Sequence, residues 1–302
     1  MNFGFLILHY KNFDITKRCV DSIKSLDMQA GSIRIIIVDN GSCDESTVRL
    51  HNKYVEDEIV ELIVLKDAFG FSRGNNIGYE YACTHYDFDY LIVTNNDIIF
   101  NQKSFLSAIV TEFENYKFYV LGPDMIDLHA GAHLNPKQKL KNEDEVKKWV
   151  IELEKKKKGN FWKEILLEYF QESKIYPWYS KYIRGMRRNV KNQNNRAKSY
   201  SKEFVLQGGC LIFSRQFIEK NKKLFWPETT FYGEESILFY RCKKNNWSTL
   251  YSPKLTVLHE QGSSFRKKTK QKKVRHRKAV EYNIEAAHIY LDLLKDKENN
   301  NG

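Results

Sequence analysis

Open α/β sheets bind their ligands outside the carboxyl ends of the strands, so the polar residues that close each apolar run are where chemistry is expected. Four such places stand out. Tyr90 to Thr94 ends in Asn95-Asn96-Asp97, and the chain turns apolar again at once with Ile98-Ile99-Phe100. A carboxylate in that setting is partly desolvated and needs a cation or donors beside it. Asp97 is therefore a candidate ligand for a divalent ion bridging a diphosphate, with an Asx turn as the other reading. Ile36 to Val38 ends in Asp39-Asn40-Gly41-Ser42, where a carboxylate could accept hydrogen bonds from a base or ribose, or close a turn and cap a helix. Gly70-Phe71-Ser72-Arg73-Gly74-Asn75-Asn76-Ile77-Gly78 is glycine-rich and leads into a helix, which allows close backbone approach to phosphate or ribose. It matches neither G-x-x-x-x-G-K-[ST] nor G-x-G-x-x-G, which argues against triphosphatase and dinucleotide-dehydrogenase chemistry. Phe231-Tyr232-Gly233-Glu234-Glu235 opens a helical pattern through Ile237, Leu238 and Arg241, and its two acids complement the helix dipole.

These places need a frame. Short β-branched runs alternate with segments of helical period: Phe3 to Leu8, then Ile15, Cys19, Ile23 and Leu26 on one helical face, then Ile33 to Val38. Asp14 stands where the N-cap of that helix should be. Ile63 to Leu65, Tyr90 to Thr94 and Tyr119 to Leu121 read as further strands, with Phe105, Ile109 and Phe113 marking a helix between the last two. Continuous apolar strands need both faces covered, so the expected fold is α/β, a Rossmann-like, mostly parallel sheet flanked by helices. From His133 to Lys202 the composition turns to Lys, Glu, Asn and aromatic residues with no strand-like run. This reads as a helical insertion carrying Lys155 to Lys158, Trp162, Trp178 and the Asn-rich stretch Lys191 to Arg196. Strand character returns at Cys210 to Phe213, after Gly208-Gly209. The tail beyond Arg266 is helical and amphipathic in part, through Ala279, Tyr282, Ala286 and Ile289, and frays from Lys297 to Gly302.

A length of 302 residues suits one large α/β domain with one substantial insertion. The longest apolar runs fall far short of the roughly 20 residues needed to cross a bilayer. The chain opens directly into a β-like segment without a secretory signal pattern, so a cytoplasmic location is expected. Five scattered cysteines with no C-x-x-C pair read as reduced thiols rather than a disulfide framework or zinc knuckle. The formal charge of +11 is concentrated: Arg266 to Lys278 holds nine Lys or Arg and no acid, and without it the remainder carries only +2. Such a segment requires an anionic partner or plain solvent. A nucleic-acid binder would leave the acidic strand ends unexplained, since the basic residues cluster in the tail and around Arg184 to Arg188. A nucleotidyltransferase would favour a glycine-rich basic loop after the first strand, where this chain has His9-Tyr10-Lys11-Asn12.

In order along the chain, Val38 to Ser42, the Gly70 to Gly78 loop, Asn95 to Asp97, Gly208-Gly209-Cys210, Gly233-Glu234-Glu235, and His259 with Gly262-Ser263-Ser264 resemble the family 2 glycosyltransferases of the fold called GT-A. The likeness is to the branch of rhamnosyltransferase-like enzymes that build bacterial surface polysaccharides. It runs from Phe3 to about Phe265 and is loose across the insertion. The resemblance implies a GT-A domain over 1–265, with 133–202 on the acceptor or membrane side, and a basic helical tail over 266–302. It implies inverting, metal-dependent transfer of a hexosyl or rhamnosyl group from a UDP- or dTDP-linked donor to a lipid-linked saccharide acceptor, in capsule, O-antigen or cell-wall synthesis. The enzyme would then sit peripherally on the inner face of the cell membrane, its basic tail against the anionic surface and no nucleic acid involved. By position, Asp39 and Asn40 would hold the base or ribose, and Gly70, Phe71, Arg73, Asn75 and Asn76 would line the donor pocket together with Asn95 and Asn96. Asp97 and His259 would hold Mg²⁺ or Mn²⁺. Glu235 would be the catalytic base, with Glu234 as the alternative. The chain departs from the family's pattern at Asn95, for the first aspartate of D-x-D, at Ala68, for a common asparagine, and at Glu235, for the usual aspartate.

Overall fold

The computed structural model describes residues 1–159, 200–202, 204–260 and 272–299. Expectations that fall on Trp162, Trp178, Arg184 to Arg188, Lys191 to Arg196, Gly262 to Ser264 and Arg266 to Lys270 lie outside the described residues.

Strand alternation gives the sheet two apolar faces, because successive side chains point to opposite sides. In β1 (Asn2–His9), Phe3, Phe5 and Ile7 join a core with Phe13, Cys19 and Ile23 of α1 (Phe13–Lys24) and with Leu50 and Tyr54 of α2 (Glu45–Tyr54). Phe105 and Ile109 of α4 (Phe105–Tyr116) complete that face. On the other face Leu6 packs with Tyr79 and Ala82 of α3 (Phe71–His85), Phe217 of α6 (Arg215–Lys220), and Leu238 and Cys242 of α7 (Glu234–Lys244). The remaining strands of the main sheet are β2 (Ser32–Asp39), β3 (Val60–Val64), β4 (Tyr90–Asn95), β5 (Ile98–Ile99), β6 (Val120–Asp127), β9 (Cys210–Ser214) and β10 (Thr249–His259). Their order is β3-β2-β1-β4-β9-β6-β10-β5. The pairs β1/β2, β2/β3, β1/β4 and β6/β10 are parallel, while β9 runs antiparallel to both neighbours and β5 antiparallel to β10. The chain winds outward from β1 to β3 and then returns to place β4 beside β1. That reversal makes the carboxyl ends of β1 and β4 a topological switch point, the place where open α/β sheets take their ligands.

A third layer of helix lies beyond α7. Val146, Val150 and Leu153 of α5 (Glu143–Lys158) pack with Ile237 and Tyr240 and with Ala287, Tyr290 and Leu291 of α8 (Lys272–Asn299). A capping box between Asn142 and Glu145 starts α5.

The structure corrects four details of the sequence reading. Asn12, not Asp14, caps α1, its side chain accepting from Ile15 N–H at 3.3 Å; Asp14 lies in the first turn and pairs with Arg49. The strand expected at Tyr119 to Leu121 extends to Asp127, because Pro123, Asp124 and Asp127 interrupt its apolar pattern without ending its ladder. The 133–202 segment, read as strandless, holds β7 (Gln138–Lys139), which pairs with β8 (Phe204–Val205) over only two residues, too few to show as alternation. In α8 Ala286 of the expected stripe is buried and Ala279, Tyr282 and Ile289 partly so, while Ala287, Tyr290 and Leu291 extend the buried face, and the helix runs to Asn299.

Candidate active site

At the end of β4, Asn95-Asn96-Asp97 forms a short turn into β5, which lies antiparallel to the end of β10 with Ile98 opposite His259. Main-chain Glu260 N–H donates to Asp97 O at 2.9 Å, and the Glu260 carboxylate receives two bonds, 2.8 and 2.7 Å, from Arg18 on α1. These contacts bring His259 Nε2 to 3.2 Å from Asp97 Oδ1. The pair is close but not aligned as a hydrogen bond: Asp97 Oδ1 and His259 Nδ1 are buried with no hydrogen-bond partner among the described residues. An orphaned buried carboxylate oxygen beside an imidazole fits a divalent cation. Two neighbouring ligands of an octahedral ion at about 2.1 Å stand roughly 3 Å apart. Among the described residues no group of three or more such ligands comes together, so a cation here would have only these two from the described residues. The dryness of the spot shows in Cys19, whose thiol is held well above its ordinary pKa by burial first and by the Asp97 charge second. Asn96 is tied back, its Nδ2 donating to Thr16 Oγ1 at 2.9 Å. Asn95 faces the Gly208-Gly209 turn: its N–H donates to Gly209 O at 2.9 Å, and a Cβ on Gly209 would lie 3.7 Å from Asn95 Nδ2.

The residues expected on the donor side meet at the end of β2 and the start of α3. Asp39 is fully buried, with Oδ1 accepting from Ser42 N–H at 3.0 Å and Oδ2 from the Thr47 hydroxyl. Asn40 ties two loops together, accepting from Phe69 N–H at 2.9 Å and donating to Gly70 O at 3.0 Å. Gly70 needs to be glycine: its φ is +81°, and a Cβ would lie 2.3 Å from Thr230 O, which accepts from Phe71 N–H at 2.9 Å. Asn76 is engaged at both ends, with Phe225 N–H and O and with Glu228. Asn75 donates to Phe71 O, while its buried Oδ1 has no hydrogen-bond partner among the described residues. Arg73 is exposed and its guanidinium lies over the Phe69 ring, 4.5 Å from the centroid. The structure thus brings all these residues to one edge of the sheet and uses Asp39, Asn40 and Asn76 largely to shape it.

Glu234 and Glu235 open α7 after Gly233, and the structure separates them. Glu234 is buried, its Oε2 has no hydrogen-bond partner among the described residues, and burial, reinforced by the charge of Glu235, pushes its pKa up to about 8. Glu235 Oε1 accepts from Gly208 N–H at 3.2 Å and pairs with Lys137 Nζ at 3.0 Å. The single turn Gly208-Gly209 therefore has Asn95 on one side and Glu235 on the other.

Several residues here carried no signal in the sequence. His9, at the end of β1 and opposite Asp39 in the strand register, is fully buried, with Nδ1 2.6 Å from Thr16 Oγ1 and Nε2 3.1 Å from Ser46 Oγ. Burial lowers its pKa against the opposing pull of Asp39 and Asp44, so it is a neutral brace. His133 Nδ1 lies 2.9 Å from both oxygens of Asp124, whose pKa is raised by burial. Glu285 of α8 accepts from the Thr230 hydroxyl at 2.9 Å, so α8 supports the loop that meets Gly70. Sequence spacing pairs none of these: His9–Thr16 and His133–Asp124 are seven and nine residues apart with no helical or strand period joining them, and Thr230–Glu285 crosses between distant elements.

An α/β sheet whose switch-point edge gathers a buried carboxylate–imidazole pair and an acidic helix start has its polar residues where open α/β sheets take their ligands. The family model "Glycosyl transferase family 2" matches residues 5–167, more than half of the chain, and the chain belongs to that family. The match takes in Asp39, the Gly70 to Gly78 loop and Asp97, and ends before Glu234, Glu235 and His259. Among solved structures, S. aureus TarS 1-349 is similar at 13% identity and a TM-score of 0.49, over 83% of this chain and 60% of that one. Its complex with UDP-GlcNAc matches at 17% identity and a TM-score of 0.39, over 47% and 39%. The mannosyltransferase PcManGT from Pyrobaculum calidifontis, in complex with GDP-Man and Mn²⁺, matches at 13% identity and a TM-score of 0.49, over 96% and 69%. This chain spans less than two thirds of the TarS chains, and these likenesses add nothing to the family match. No curated protein matches the sequence.

Proposed function

We propose that this chain is an inverting nucleotide-sugar glycosyltransferase of the rhamnosyltransferase-like kind, with Glu235 as its general base. The observation that carries the reading is the Gly208-Gly209 turn, which sets a carboxylate within one turn's width of the strand end that holds the orphaned Asp97–His259 pair. In an inverting transfer the acceptor hydroxyl oxygen bonds to the anomeric carbon as the bond to the diphosphate oxygen breaks on the opposite face. Glu235 takes the hydroxyl proton. Mg²⁺ or Mn²⁺ held by Asp97 and His259 would supply neutralisation of the leaving diphosphate when bound. The sugar donor, UDP- or dTDP-linked, would lie along Asn40, Gly70, Phe71, Arg73, Asn75 and Asn76, toward Asn95 and Asn96. Asp39 would reach the base or ribose by releasing Ser42 N–H or Thr47, and Asn75 Oδ1 offers a second acceptor.

The acceptor in this reading is a lipid-linked saccharide of capsule, O-antigen or cell-wall synthesis, met at the inner face of the membrane. The GT-A domain spans 1–265 and the basic tail 266–302. Among the described residues no helix is long and apolar enough to cross a membrane, so attachment would be peripheral. It is supported by the antiparallel packing of α5 and α8, in which Lys157 lies 3.6 Å from Glu281 and Tyr290 OH donates to Lys141 O. That packing sets Lys157 and Lys158 beside Arg277.

A thermal-shift panel of UDP-, dTDP- and GDP-sugars, each with and without Mn²⁺, tests the reading, since a ligand that binds only the folded state raises its melting temperature. The expected result is a shift that requires both donor and Mn²⁺ and disappears in Asp97→Ala. A metal-dependent shift that survives Asp97→Ala would remove Asp97 from the site.

A further inference from the structure

Lys137 plays no part in the sequence patterns, yet its ammonium is 3.0 Å from Glu235 Oε1. It is delivered there by a fixed backbone. Asn135 is buried, with its Nδ2 donating to Pro123 O at 2.8 Å and its Oδ1 accepting from Gln207 N–H at 2.7 Å. Lys137 N–H donates to Val205 O at 3.0 Å, just before β7 pairs with β8. The side chain therefore reaches Glu235 from an anchored segment next to the Gly208-Gly209 turn.

We propose that Lys137 is a positioning residue for the transfer reaction: its ammonium fixes the Glu235 carboxylate against the Gly208-Gly209 turn and aims its second oxygen at the acceptor hydroxyl. The inference rests on the reading of Glu235 as the base. The two neighbouring carboxyls differ in their partners. Glu234 has a buried oxygen with no hydrogen-bond partner among the described residues, and burial raises its pKa. Glu235 Oε1 takes both the Lys137 ammonium and the Gly208 N–H. Both contacts fall on Oε1, leaving Oε2 to receive the acceptor proton. The charged groups facing Glu235 among the described residues are Lys137, from the segment before β7, and Glu234, from its own helix. The small cavity it shares with Leu206, Leu211, Leu238 and Thr249 is lined by no other charge.

The test is steady-state release of nucleoside diphosphate from the donor selected by the thermal-shift panel, with kcat and KM read separately. Lys137→Met keeps most of the stem and removes the charge, so kcat should fall by about tenfold while donor affinity stays near wild type, and Lys137→Arg should restore it. In a Glu235→Gln background Lys137→Met should cost nothing further, since the carboxylate it aims is gone. Wild-type kcat in Lys137→Met, or a loss of the same size in the Glu235→Gln background, overturns the proposal. Wild-type turnover in Glu235→Gln would remove Glu235 as the base and the role of Lys137 with it. Collapse in Glu235→Gln, with unchanged kcat in Lys137→Met, would overturn only the role of Lys137.

Discussion

Neighbouring residues on a helix point about 100° apart, and at the start of α7 that angle separates a buried carboxyl from one that faces the Gly208-Gly209 turn. Glu235→Gln keeps the shape and removes the proton acceptor, so turnover should fall by roughly 100-fold or more while donor affinity stays within about twofold. Steady-state transfer alongside donor titration checks it, and near-normal turnover would end the assignment. Glu234 leads to a different measurement. Its pKa is raised from the ordinary 4.5 to about 8 in the fold, so the folded state favours its protonated form. The stability this contributes is fully present below about pH 4.5 and is lost as the pH rises toward about 8. Its size is on the order of a few kcal/mol. Glu234→Gln cannot ionise, so its melting temperature relative to wild type should climb by several degrees between pH 5 and pH 8. A difference that stays flat over that range would show that Glu234 is not the protonated partner. The strand ends were legible in the sequence because an apolar run closing in Asp or Asn is a local pattern, which singled out Asp39 and Asp97, while the acidic pair showed as a helix start after a glycine. His9, His133, Glu285 and Lys137 were not, since a single His, Glu or Lys gains meaning only from the partner that the fold sets beside it.

Elements were legible where period and burial agree, as in β1, β2, β4 and α1, and obscured where polar residues sit inside a ladder, as in β6, or where pairing spans two residues, as in β7 and β8. The C-terminal helix shows a further limit. Its apolar positions are evident in the sequence, but the face it buries is set by what it meets. Among those contacts Gly233 presses on Ala286, Phe231 on Tyr282 at 5.1 Å between ring centroids, and Thr230 on Glu285. Gly233 combines a φ of +78° with space so limited that a Cβ would lie 2.8 Å from Ala286 Cβ. Gly131 has a φ of +63° but nothing within 4 Å of an added Cβ, and so carries the backbone strain alone. Gly131→Ala should therefore cost about 1 kcal/mol. Gly233→Ala should cost about 2 kcal/mol or more, the excess coming from displacement of α8. Urea denaturation of both variants gives the comparison; equal losses would mean that the Gly233–Ala286 contact does not hold α8 in place.

At the scale of the whole molecule the charge of +11 is concentrated in sequence on Arg266 to Lys278, and the described end of that run, Arg277 and Lys278, lies on α8. Two basic runs more than a hundred residues apart in sequence meet there, because α5 and α8 pack antiparallel; Lys157, Lys158 and Arg277 line one shallow cleft with Glu154. Lys155 to Lys158 complement the negative end of the α5 dipole, which is a sufficient local reason for them. In the proposed reading, with a lipid-linked acceptor, the basic end also meets the anionic membrane surface. Each Lys or Arg near such a surface contributes on the order of 1 kcal/mol, and the attraction is screened over roughly 8 Å at physiological salt. Replacing Lys155, Lys156, Lys158 and Lys278 by Gln should therefore weaken binding to phosphatidylglycerol vesicles by at least about tenfold. Turnover of a soluble acceptor analogue should stay unchanged, since none of the four belongs to the strand-end site. Flotation of wild type and variant with phosphatidylglycerol and with phosphatidylcholine vesicles, at low and high salt, decides it: wild-type binding that is equal on both lipids, or that ignores both the salt and the substitutions, would leave the basic end without a membrane role.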